Sequence, residues 1–240
     1  AGGLAENPET KRRLKNLMDV TGITKDLDMQ SSNPASMKDL LAVHPKKYLE
    51  EFKALSDIDG GLLGLRTPFA RGGFDIAALS SGLAISAISD VLKGKYKNSY
   101  SLSRPPGHHC LPDYPNGFCL LANIAVAIEH SIKNKLGKKF CVIDWDVHHG
   151  NGTEAIFYNR NDVLTISIHQ ERNYPVDTGM ETHQGKQEGL GYNVNLPLPA
   201  GSGHQAYLNL FDRVIDPIVS NYSPDIIIVA CGFDAAMIDP

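Results

Sequence analysis

The sequence predicts an α/β fold in which a mainly parallel sheet is covered by helices on both faces, and three observations lead there. Short β-branched runs without polar interruption alternate with longer segments whose apolar residues recur every three or four positions. Chemistry-bearing residues cluster directly after those runs, and ligands of open α/β sheets bind outside the carboxyl ends of the strands. Finally, 240 residues that are 42% hydrophobic and 21% charged suffice for a sizeable core and exclude disordered and fibrous classes.

Residues 7–20 open on Asn, Pro and Glu and continue with apolar residues at helical spacing, which predicts a short amphipathic helix. Residues 36–55 read as two helical pieces broken near Pro45, and the glycine-rich stretch 60–73 reads as a loop. Core-facing helices are predicted over 74–93 and 118–136. Buried strands are predicted at 97–103, 140–144 (FCVID), 163–168 (VLTISI) and 225–230 (DIIIVA). There is no internal repeat, low-complexity tract or composition break, so residues 1–240 are expected to form a single domain.

A net charge of −4, from 23 basic and 27 acidic residues, offers no electrostatic footprint for nucleic acid. No apolar run approaches the roughly 20 residues needed to cross a bilayer. The opening AGGLAENPETKRR places its basic residues after, not before, any apolar stretch, unlike a secretory signal. The expectation is a cytoplasmic protein without membrane partners. Cys110, Cys119, Cys141 and Cys231 form no CxxC pair and are expected to be reduced thiols, with Cys110 a candidate reactive thiol because it directly follows two histidines.

The densest polar cluster runs from Asp144 to Gly152. Alternate side chains of an extended strand end share a face, so Asp146 and His148 converge while Gly150 and Gly152 let the chain turn away. Catalytic zinc usually takes three protein ligands. Asp234, following the buried strand at 225–230, is the best third candidate, because a carboxylate there is otherwise costly. A lone Asp at a strand end more often caps or turns the chain, and it is the clustering that favours a metal. An oxygen and nitrogen donor set suits Zn²⁺, and Fe²⁺ or Co²⁺ would satisfy it too. In the second constellation, Arg104 to Cys110, two prolines stiffen the loop and Gly107 permits close approach, so His108 and His109 are held rigidly, as acid and base work requires.

The strings RPPGHH, NGFC, DWDVHHGNGT, SIHQ and ACGFDA, in this order from about residue 100 onward, resemble the histone deacetylase and acetylpolyamine amidohydrolase superfamily. The pattern is that of the class II type and its bacterial histone deacetylase-like amidohydrolases, partly because Asn151 stands where class I members typically carry Asp. The resemblance implies a three-layer arginase/deacetylase fold with Zn²⁺ on Asp146, His148 and Asp234. It implies a zinc-bound water attacking the acyl carbonyl of an acetyl-lysine peptide or acetylpolyamine. It pairs His108 with Asp144 and His109 with Asn151. A carboxylate favours imidazolium and an amide does not, so His109 is expected to be the neutral base and His108 the protonated support.

The resemblance further implies that Phe118 lines a substrate tunnel, with Tyr174 or a neighbour as the facing wall. It places a structural K⁺ on Asp144 and Ser167 side chains and on the backbone carbonyls of Asp146, His148 and Ile168. A second cation site would lie near Phe157, Val163 and Tyr192. Against the family pattern, the sequence reads as incomplete at both ends. A first strand is expected before Ala1, and the last strands, with the tyrosine that donates to the developing oxyanion, after Pro240. The 240 residues are therefore expected to be a fragment of a longer protein, and losing such a donor typically costs about 10² to 10³ in rate. Two other readings stay open: a two-metal ureohydrolase like arginase, and a module that binds acylated ligands without turnover. A homo-oligomer is likewise left open.

Overall fold

The structure, a computed structural model, describes residues 6–239. Its centre is a four-stranded parallel sheet in the order β5-β4-β3-β6, comprising β3 (Phe140–Asp144), β4 (Val163–Gln170), β5 (Asn193–Leu198) and β6 (Ile226–Ala230). Around it lie α1 (Pro8–Val20), α2 (Met37–Leu40), α3 (Lys46–Ile58), α4 (Gly73–Leu92), α5 (Asn123–Lys133), α6 (Asn151–Phe157), α7 (His204–Leu210) and α8 (Asp216–Tyr222). A π-helical turn, Phe211–Ile215, joins the last two helices.

Every residue of β3 is buried, and alternation assigns its side chains to opposite layers. Phe140 and Val142 pack with Ile88 of α4 and with Ala125 and Ile128 of α5. Cys141 and Ile143 join Leu164, Ile166 and Ile168 of β4 against Ile215 and Tyr222. A further cluster, built on Leu40, Leu49, Phe52, Phe74 and Leu121, fills the space where α3 meets α4. Helices on both faces of a parallel sheet give the three-layer arrangement that the sequence predicts.

Several elements differ from expectation. Residues 97–103 form no strand: they are exposed or half-buried and have no ladder partner among the described residues. β propensity without a neighbouring strand leaves the backbone with nothing to pair. The helix expected from 118 begins only at Asn123, because Gly117 and Phe118 both adopt left-handed φ, 50° and 66°, and Ala122 is non-helical. The segment 60–73 contains a small antiparallel hairpin, β1 (Gly60–Leu62) with β2 (Pro68–Ala70). β5 escapes sequence reading because its NVNLPL run mixes Asn and Pro with apolar residues. It is an edge strand, where a proline costs no essential ladder bond. α4 corrects another expectation: by length and composition it could cross a membrane, with a mean hydropathy of 1.4. Here Phe74, Ala77 and Ala78 are buried in the α3/α4 cluster, which is the role of a core helix.

Two buried polar contacts tie this scaffold to the histidine loop. The carbonyl of Pro105 accepts hydrogen bonds from Ser80 Oγ of α4 (2.9 Å) and from Asn123 Nδ2 (3.0 Å). His44, 1% exposed, donates from Nδ1 to the Pro112 carbonyl (2.7 Å) and accepts the Ala122 amide at Nε2 (3.0 Å). The Ala122 amide demands an unprotonated Nε2, and burial lowers the His44 pKa to about 4, outweighing the Pro112 carbonyl, which favours the charged ring.

Since the folded pKa lies below the unfolded value, this contribution is intact above about pH 6.5 and is lost as pH falls towards 4. We expect up to about 3 kcal/mol of stability to disappear over that window through His44 alone. His44→Ala should be less stable at pH 7 by about 1–3 kcal/mol, from the orphaned amide and carbonyl, yet decline less steeply with acid. Urea unfolding at several pH values measures both slopes, and equal slopes would refute the assignment.

Candidate metal and catalytic site

β3 delivers Asp144 to the carboxyl edge of the sheet, and the chain then curls by accepting its own amides. Asp144 Oδ1 accepts Asp146 N (3.2 Å) and Asp146 Oδ1 accepts His148 N (2.9 Å), two successive Asx turns. From the end of β6, Asp234 Oδ1 accepts Val147 N (3.0 Å), fastening the two strand-end loops together. Gly150 and Gly152 have a use other than the sharp turn expected of them. A Cβ at Gly150 would meet Asp144 Oδ2 at 2.3 Å, and one at Gly152 would meet the Cys110 carbonyl at 2.4 Å. Close approach is what these positions require.

Asp146, His148 and Asp234 come together with their ligand atoms all within 4.8 Å of one another. His148 Nδ1 lies 3.0 Å from Asp146 Oδ1 and 2.9 Å from Asp234 Oδ2. Those two contacts raise the His148 pKa to about 10. Burial opposes the Asp146 carboxylate, but the charges of His108 and His148 hold it well below the usual range. A proton thus sits where two carboxylates converge on an imidazole nitrogen. A divalent cation fits the same donors, replacing that proton.

The histidine loop packs on the start of α6. Gly152 N (2.9 Å) and Thr153 N (3.2 Å) both donate to the His108 carbonyl, satisfying first-turn amides of that helix. His108 Nδ1 donates to Asp144 Oδ2 (2.8 Å), and its Nε2 lies 3.8 Å from Asp146 Oδ2. Burial disfavours the charge on His108, but Asp144 and Asp146 overcome it and raise its pKa to about 9. Burial pushes the Asp144 carboxyl up as well, so the pair competes for one proton; the added fields of Asp146 and Asp234 leave it on His108. His109 Nδ1 faces Asn151 Oδ1 at 2.8 Å, an acceptor that fixes the Nδ1–H tautomer and leaves Nε2 with its lone pair. Burial and then the neighbouring His108 charge lower the His109 pKa to about 2. Two rings with centroids 3.9 Å apart therefore have opposite proton affinities.

Tyr174 stands edge-on to His109 and His148, at centroid distances of 5.2 and 6.0 Å, and its hydroxyl donates to Asn116 Oδ1. Phe118 is half-buried in the loop that carries Asn116 and Gly117. Of the five residues expected around a monovalent cation, Asp144 and Ser167 line one cavity of about 10 Å³, room for a single small occupant. His149, Glu154, Asn193 and Asn195 share that cavity, and sequence reasoning did not anticipate them. Near the second expected cation site, the carbonyls of Phe157 and Tyr192 accept amides from Arg160 and Thr165, both at 3.0 Å. Two further corrections follow. β4 runs to Gln170, so His169 lies inside the strand, which is two residues longer than the expected 163–168. Cys110 is fully buried and burial pushes its thiol far up, which makes it a packing residue in place of the reactive thiol expected. Arg66, which reaches over Tyr174, carries no signal in the sequence because the β1–β2 hairpin brings it there, whereas Asn116, which accepts from the Tyr174 hydroxyl, stands in the NGFC string.

Sequence comparison matches the histone deacetylase domain family over residues 4–240. A histone deacetylase-like amidohydrolase of Pseudomonas aeruginosa is 53% identical over 240 residues, 100% of this chain and 63% of that protein. A "Probable deacetylase" of Archaeoglobus fulgidus is 38% identical over 239 residues, covering 98% of this chain and 66% of that protein. The chain thus spans just under two thirds of the length of these relatives. A crystal structure of the HDA15 HD domain superposes with a TM-score of 0.95 at 34% identity, covering 100% of this chain and 69% of that one.

Metal binding should release about one proton near pH 8, drawn from His148. Calorimetry in buffers of different ionisation enthalpy reads this number, and zero would contradict the donor assignment. A Cβ at Gly232 would lie 2.3 Å from Asp146 Oδ2. Gly232→Ala should therefore weaken Zn²⁺ affinity by about tenfold or more, read by competition with a chromophoric chelator.

Proposed function

The chain belongs to the histone deacetylase family and has its arginase/deacetylase fold, and on that premise we propose that it is a zinc-dependent hydrolase removing acyl groups from acetylated amines. The observation that carries the reading is the donor triad Asp146, His148 and Asp234 beside two histidines of opposite proton affinity. A divalent cation on the triad would polarise the acyl carbonyl and acidify water. Zn²⁺ is the best fit to two carboxylates and one imidazole, with Fe²⁺ and Co²⁺ as the competing ions.

His109 is the base in this scheme. Its Nδ1–H is occupied by Asn151, so Nε2 takes the proton of the attacking water and returns it to the leaving nitrogen. His108, paired with Asp144, stays imidazolium and places a fixed positive charge next to the developing negative charge. The same charge keeps protonated His109 acidic, which drives the return of the proton. Tyr174 offers an apolar ring face to the aliphatic stem of the substrate, with Phe118 as the opposing wall. A small cation held by Asp144 and Ser167 would steady the floor of the site from below.

The substrate classes are acetyl-lysine in peptides and acetylated polyamines, and acetate release from either by the metal-loaded protein, abolished by a chelator, tests the activity. His109→Ala should lower kcat by about a hundredfold to ten-thousandfold, and more than His108→Ala does. Comparable mild losses in both would sink the assignment of roles. Asn151→Asp places a carboxylate on His109 Nδ1, which favours the imidazolium. The acid limb of the kcat profile should then move to higher pH, and an unmoved limb would remove His109 from the proton transfer.

A further inference from the structure

At the mouth of the site stands a guanidinium that the proposed chemistry does not use. Arg66 occupies the tip of the β1–β2 hairpin with φ 59°, a left-handed backbone that a non-glycine residue adopts at a cost. Main-chain hydrogen bonds hold the tip in place. Leu65 N donates to the Pro115 carbonyl (3.2 Å), Gly117 N to Leu65 O (3.0 Å), and Phe118 N to Arg66 O (3.1 Å). The side chain then reaches over Tyr174, with its guanidinium carbon 5.6 Å from the ring centroid.

That ring stands edge-on to His109 and His148, so the charge lies one aromatic ring away from the reacting groups. Arg66 is exposed, and among the described residues no carboxylate lies within ion-pair distance of it; Arg13, Arg71, Arg172 and Arg213 are also without an ion pair, and what sets Arg66 apart is its place over the Tyr174 ring. An unpaired cation held in a strained conformation at a substrate entrance is a recognition element in waiting.

We propose that Arg66 is a specificity determinant of this site, selecting acetyl-lysine peptides whose neighbouring residues are acidic and disfavouring acetylated polyamines. The inference rests on the deacylase reading above. With the amide at the triad, the lysine stem emerges past Tyr174 and leaves the flanking peptide residues facing Arg66. An acetylated polyamine would bring a free ammonium to the same place, only a few methylenes from its amide. Like charges there are repulsive, and acidic neighbours are attracted.

The test uses metal-loaded protein and three probes: two fluorescent acetyl-lysine peptides differing only in Asp or Arg on either side of the lysine, and N-acetylputrescine. Dissociation constants come from anisotropy, with acetylputrescine as competitor, and turnover from acetate release. The Asp peptide should bind about three- to fivefold more tightly than the Arg peptide at low ionic strength, with the ratio shrinking at high salt. Arg66→Gln and Arg66→Ala should level the ratio, and Arg66→Glu should invert it while improving competition by acetylputrescine. A ratio unchanged in all three variants, or insensitive to salt, overturns the proposal. Discrimination without acetate release would uphold Arg66 and defeat the deacylase reading, while acetate release without discrimination would do the reverse.

Discussion

Three carboxylates converge at one edge of the sheet, and the rest of the site is arranged to make that tolerable. Asp144 is 3% exposed, and Asp146 and Asp234 close around the same point. Buried carboxylates at such separations repel strongly unless positive charge intervenes. The protein supplies it from two imidazoles: His148 between Asp146 and Asp234, and His108 between Asp144 and Asp146. Amides of the same loops saturate other carboxylate oxygens, so the acids are held in place before any ligand arrives. His109 gains its character from exclusion. It has an amide partner in Asn151 and a charged neighbour in His108, so it alone of the three is driven towards neutrality.

Much of this was legible in the sequence because it is local. Asp144, Asp146 and His148 lie within five residues of one another; the extended strand end expected there is in fact two successive Asx turns, which gather the three side chains at the end of β3. The strands 140–144, 163–168 and 225–230 were readable from continuous apolar runs; β3 and β4 are buried on both faces, whereas β6 stands at an edge of the sheet with Ile227 half exposed. What failed depended on partners that no local pattern encodes. The segment 97–103 has strand composition but no neighbour to pair with, and β5 has a poor composition but a place at an edge. The short helices α6, α7 and α8 went unread because two turns carry too little periodicity to recognise. Gly150 and Gly152 were read as points where the chain turns away, when their constraint is the absence of a Cβ beside Asp144 and Cys110.

Beneath the metal edge lies a second polar layer whose purpose is mechanical. Glu154 of α6 accepts the side-chain amides of Asn193 and Asn195 (both 2.7 Å) and stands 3.3 Å from His149 Nε2. Those groups in turn hold the segment after Tyr174: His149 meets Thr178 Oγ1 (2.9 Å), His169 meets the Gly179 carbonyl (2.9 Å) and Asn193 meets the His183 carbonyl (2.6 Å). Side chains from β4, β5, α6 and the loop after β3 thereby fix a long loop that would otherwise cost considerable entropy to order. The position of the Tyr174 wall is inherited from residues well below it.

The hairpin on the opposite side of the mouth is attached in another way. The hydrogen bonds from its tip to the 115–118 segment are made by main-chain groups of Leu65 and Arg66. Hydrogen bonds of that kind are indifferent to which side chains the tip carries. Gly150 and Gly232 leave no room for a side chain beside Asp144 and Asp146, whereas the exposed side chains of Leu65 and Arg66 take no part in the hydrogen bonds that seat the hairpin. Variation in this short cassette offers a route by which what approaches the Asp146–His148–Asp234 cluster can change while the cluster itself is left undisturbed.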